Sequence, residues 1–100
     1  MKWMQKENIL LSSSENSLEL IEKVTQLLKN NFNVIHTAKD VYVPAIPEYG
    51  FVRKLTVEGK SLFLSQESIP EDPVCLVFEK NEDRRFIASV KELLEKHLAN

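Results

Sequence analysis

Two stretches of this chain carry apolar residues at three-and-four spacing, and any fold must bury both stripes. From Leu18 the first stripe runs through Leu20, Ile21, Val24, Leu27, Leu28 and Phe32, with Glu19, Glu22, Lys23, Gln26 and Lys29 on the other side. The second runs through Phe86, Ile87, Val90, Leu93, Leu94 and Leu98. The spacing predicts helices near residues 16–31 and 83–98. Ser12, Ser13, Ser14 and Asn16 are N-cap residue types, and Ser12 with Glu15 or Asn16 with Glu19 has capping-box spacing. Asn81, Glu82 and Asp83 suit the start of the second helix, and Lys96 and His97 suit its last turn, where positive charge meets the negative end of the dipole. Asn30-Asn31 tolerates the left-handed backbone that ends the first.

What lies outside the stripes reads as strand. Ile9-Leu10-Leu11 is a short apolar run, and Asn33 to Thr37 is rich in β-branched residues, so the chain is expected to return beside its first strand in a right-handed parallel crossover. Val41-Tyr42-Val43 is strand-like, but Pro44 and Pro47 cannot donate to a ladder and push it to an edge or an extended loop. Phe51, Arg53, Leu55 and Val57 alternate with Val52, Lys54 and Thr56; Glu58-Gly59 then turns the chain into Ser61-Leu62-Phe63-Leu64, a hairpin. Residues 68–73 form a loop by their prolines and acids. From Val74 to Glu79 both alternating sets are apolar, which suggests a strand covered on both faces. The expected fold class is α+β: a two-layer sandwich over residues 1–100 as a single domain, with a mixed sheet of about four to five strands and both helices on one face.

Composition sets further bounds. In 100 residues, 43% hydrophobic and 28% charged content lacks the signature of disorder, and a chain of this length buries enough surface to fold without a metal or disulfide. The one cysteine, Cys75, excludes an intramolecular disulfide and points to a reduced cytoplasm. No apolar run is long enough for a bilayer span or a secretory signal, so no membrane partner is expected. The net charge of −2 gives nucleic acid little to hold. Locally, Glu67, Glu71, Asp72, Glu79, Glu82 and Asp83 stand against the single base Lys80, a field that favours a basic partner.

Catalytic patterns are sparse. Cys75 lies in an apolar strand, where a thiol behaves as a small hydrophobe, and no serine sits in a Gly-x-Ser-x-Gly elbow. One cysteine and two distant histidines do not write a zinc site, and two glycines do not write a phosphate loop, so neither metal nor cofactor is expected. The residues best placed for a small-ligand or catalytic site are His36, Asp40, Tyr42, Tyr49 and Arg53. The segment from Tyr42 to Tyr49 is stiffened by two prolines, and Tyr42, Ile46 and Tyr49 can offer apolar area at little entropic cost.

Tyr49-Gly50-Phe51-Val52 resembles the core of the RNP1 motif of RNA-recognition domains, which implies aromatic residues on a sheet stacking on bases. Pro47, Glu48 and Lys54 depart from that motif, and RNA binding ranks behind two other readings. The first is a non-catalytic protein-binding domain, in its most concrete form a small acidic inhibitor or immunity-type protein that masks a basic partner such as a toxin nuclease. Its surface would comprise the six acids together with Tyr42, Ile46 and Tyr49. The second is a small enzyme or ligand-binding protein with its site around His36, Tyr49 and Arg53.

Overall fold

The computed structural model describes residues 2–15, 18–36, 39–44, 49–66 and 73–98. Among the described residues, seven strands and two helices follow one another: β1 (Trp3–Lys6), β2 (Ile9–Glu15), α1 (Leu18–Asn31), β3 (Val34–Ile35), β4 (Val41–Pro44), β5 (Tyr49–Val57), β6 (Lys60–Gln66), β7 (Pro73–Phe78) and α2 (Arg84–His97). The strands form one sheet in the order β1-β2-β7-β6-β5-β3, and β4 also pairs with β5. Every pairing is antiparallel.

The α+β class and the two helices on one face agree with the sequence reading; the mixed sheet of four to five strands does not. β2 and β3 run in the same direction, but β7, β6 and β5 lie between them, so α1 carries the chain across the sheet instead of to an adjacent strand. The reason lies downstream. β5, β6 and β7 each pair antiparallel with their neighbour in sequence, and β7 then takes the place beside β2 that β3 would have filled. β1 is an unforeseen strand. Glu7 and Asn8 turn it onto β2 with Lys6 opposite Ile9, and Glu7 takes a positive φ of 55°.

β2 also runs further than expected. Ser12 is not a helix cap: it is buried in the strand, and its hydroxyl accepts from the Val74 backbone N–H at 3.0 Å. That bond falls where the β2–β7 register shifts between Leu11 and Glu15, so the side chain serves a backbone donor at the irregularity. Asn16 lies outside the described residues. At α2 the expected cap is present: Asp83 Oδ1 accepts from Arg85 N at 2.8 Å, and Glu82 Oε1 accepts from Asp83 N at 2.9 Å.

One face of the sheet meets the helices. Trp3, Leu10, Leu55, Val57, Leu62, Leu64, Val74, Leu76 and Phe78 from the strands bury against Leu20, Ile21, Val24 and Leu28 of α1 and Phe86, Ile87, Val90 and Leu94 of α2. Phe86 lies edge-on to Phe32 and to Phe78, with ring centroids 5.9 and 5.8 Å apart, and so joins the end of α1, helix α2 and strand β7. Lys60 Nζ stands 4.3 Å from the Phe86 ring centroid on its own side of the sheet. No described helix is long and apolar enough to cross a membrane.

Candidate functional site

Two constellations bear on function, one on each face of the sheet. The first lies beneath α1. Arg53 of β5 shares the core face with Leu55 and Val57 and is only 8% exposed, so its charge must be met inside the fold. Its Nε and Nη2 donate to Asp40 Oδ1 and Oδ2 at 3.0 and 2.8 Å, a bidentate fork. Nη2 also donates to Glu22 Oε1 at 2.7 Å and Nη1 to Thr25 Oγ1 at 2.9 Å. The Thr25 hydroxyl in turn donates to the Ile21 carbonyl at 2.8 Å. His36 Nε2 stands 3.0 Å from Asp40 Oδ1. The Arg53 hydrogen bonds hold the Asp40 carboxyl below its ordinary pKa, and that carboxyl in turn pushes the guanidinium further toward its charged form.

The fold thus brings together three of the residues singled out from sequence, His36, Asp40 and Arg53. The guanidinium fork ties α1, the segment after β3, and β5 into one network through four hydrogen bonds to protein acceptors. Glu22 and Thr25 were missed, although their three-residue spacing on a helix places them on neighbouring turns. Tyr42 and Tyr49 are placed only by register, Tyr42 opposite Phe51 and Tyr49 opposite Pro44. Ile46, Glu67, Glu71 and Asp72 lie outside the described residues. Glu79 is exposed just after β7, while Glu82 and Asp83 take part in the α2 cap. The RNP1-like residues fall in β5, and the antiparallel strands β6 and β7 follow before the next helix.

The second constellation is the opposite face. The strand from Val74 to Glu79 was expected to be covered on both sides; among the described residues it is covered on one. Both described helices pack on the face of Val74, Leu76 and Phe78, and among the described residues none packs over Cys75 and Val77. Cross-strand register aligns this open face into rows. One row runs Met4, Leu11, Cys75, Ser65, Val52 from β1 to β5; its neighbour runs Lys6, Ile9, Val77, Phe63, Lys54. Met4 is 61% and Phe63 40% exposed, values far from those of the core face. Ile9, Leu11, Cys75 and Val77, with Lys6 and Glu7, line an open depression of about 370 Å³. Ile35, 47% exposed and opposite Thr56, extends the apolar surface toward the β3 edge.

The signal for this face was present in β2 and β7, whose second alternating sets, Ile9/Leu11 and Cys75/Val77, are as apolar as their first. A doubly apolar strand is equally a strand covered by its own chain and a strand awaiting something else's. Comparison with protein-family models, with curated protein sequences and with solved structures finds no match to this chain.

Proposed function

We propose that this chain is a non-catalytic protein-binding domain and that the open sheet face is its contact surface. The observation that carries the reading is the adjacency of Met4, Leu11, Ile9, Val77, Cys75 and Phe63 across β1, β2, β7 and β6 on the side away from both helices. A contiguous apolar patch on a folded domain marks an interaction site, because leaving it in water forfeits roughly 25 cal/mol for each Å² of apolar area. The ordered strands beneath also present these side chains without an entropic cost of assembling them at binding.

The inhibitor form of the reading, with a basic partner, draws its described support from the exposed Glu79 alone, since Glu82 and Asp83 serve the α2 cap. The ligand-site reading draws on the His36–Asp40–Arg53 network, whose donors already have protein partners. The open face is the better supported surface. Its test is side-by-side affinity capture from the native cell with the wild type, a Phe63→Asp/Val77→Asp variant, a Met4→Asp variant and an Asp40→Asn variant, each checked for folding by circular dichroism. A partner held by the wild type and Asp40→Asn proteins but lost or weakened in both face variants supports the reading. A partner held equally by all four, or no protein held by the wild type, refutes it.

A further inference from the structure

From the charges at the ends of the apolar row we infer the chemistry of the partner: an amphipathic protein segment with an apolar stripe and an acidic side chain at each end of it. The inference rests on the open face being the contact surface. Lys6 on β1 and Lys54 on β5 terminate the row Lys6, Ile9, Val77, Phe63, Lys54, and both are exposed. Four strand spacings separate them, about 19 Å at the usual interval between neighbouring strands. Lys54 Nζ stands 5.8 Å from the Phe63 ring centroid, so the cation caps the aromatic end of the row. Lys2, exposed and alternating with Trp3 on β1's approach, adds a third base near Met4. Among the described residues none of these lysines forms an ion pair, whereas Lys23 and Lys91 on the helices each have a carboxylate neighbour. Glu7, in the turn beside Lys6, is the acid of that corner.

The span decides the size of the segment. About 19 Å corresponds to about 13 residues of α-helix, or about six of extended chain. A helix with aliphatic residues on one face and Glu or Asp in its first and last turns would set its carboxylates over Lys6 and Lys54 while its apolar face covers Ile9, Val77 and Phe63. Nucleic acid fits this surface less well. Bases stack on aromatic rings, and between the two lysines the row offers aliphatic groups and the single ring of Phe63. An anionic membrane draws on denser basic clusters than three spaced lysines.

The experiment is selection of displayed random 16-residue peptides on the wild-type protein, with counter-selection on Phe63→Asp/Val77→Asp. Selected peptides should carry apolar residues at three-and-four spacing with acids near both ends. Reversing both charges, Lys6→Glu with Lys54→Glu, should weaken them about tenfold, and the wild-type affinity should fall with added salt. Peptides that need Phe63 but lack acids and ignore the double reversal would overturn the acidic partner while leaving the apolar contact surface intact. Peptides insensitive to Phe63→Asp/Val77→Asp would overturn both. Labelled single-stranded oligonucleotides and anionic phospholipid vesicles are run in parallel; binding to either that is lost in the lysine variant would overturn the assignment of a protein partner.

Discussion

At the scale of single residues, Arg53 shows how one buried charge organises its neighbourhood. A guanidinium at 8% exposure is tolerable only because Asp40, Glu22 and Thr25 meet it, so removing the bidentate partner should be costly out of proportion to the atoms changed. Asp40→Asn should lower stability by about 1–3 kcal/mol at neutral pH. The sign of its pH dependence follows from Arg53, whose hydrogen bonds hold the folded carboxyl below its ordinary value of 3.8. The unfolded chain therefore takes up that proton first as pH falls. The stabilisation is whole above pH 3.8 and is lost as pH drops through the lowered folded value. Urea midpoints of the wild type and Asp40→Asn should thus differ most near neutrality and converge as pH falls below 3.8; a gap that stays constant with pH would contradict the role given to this carboxylate. Sequence brought His36, Asp40 and Arg53 into one candidate set, but it could not show that the donors of Arg53 face inward, because that depends on α1 packing on the sheet within reach of the Arg53 side chain.

At the scale of elements, what was legible from sequence was what is local. The helix stripes placed α1 and α2 to within a residue or two, and Glu58-Gly59 placed the β5–β6 hairpin, with Val57 opposite Lys60 and both turn residues at positive φ. A Cβ on Gly59 would meet open space, so Gly59→Ala should cost only the backbone penalty, about 1 kcal/mol by chemical denaturation. Val24 and Val90 sit mid-stripe and are fully buried, and truncating either to Ala should cost about 1–3 kcal/mol. Strand order was not legible, since the partner of β3 depends on a competition among segments far apart in the chain. Nor was β1, whose four residues carry little alternation and gain their place because Trp3 enters the core. This edge strand is also guarded. Glu95 of α2 accepts from the Trp3 backbone N–H at 3.0 Å, occupying a donor that an added strand would need. Glu95→Ala should therefore raise concentration-dependent self-association, read by light scattering; a variant as monodisperse as the wild type would show that the edge is protected by other means.

At the scale of the whole molecule, the two faces of one sheet have different occupants. Helices α1 and α2 cover one face with a continuous core, and among the described residues the other presents half-buried aliphatic side chains, Phe63 and flanking lysines. If that face is the contact surface proposed above, a bound partner must cover it. Cys75 reports on this directly. It is the only cysteine in the chain and lines the depression on the open face, so its alkylation by a maleimide reads the accessibility of that surface alone. The decisive measurement is the rate of Cys75 alkylation in the folded protein, free and then saturated with the captured partner. Cys75 alkylation should slow at least about tenfold in the complex, the signature of a thiol covered at an interface that excludes reagent and water. An unchanged rate in a complex that forms normally would place the partner elsewhere and rule out the open face as the contact surface.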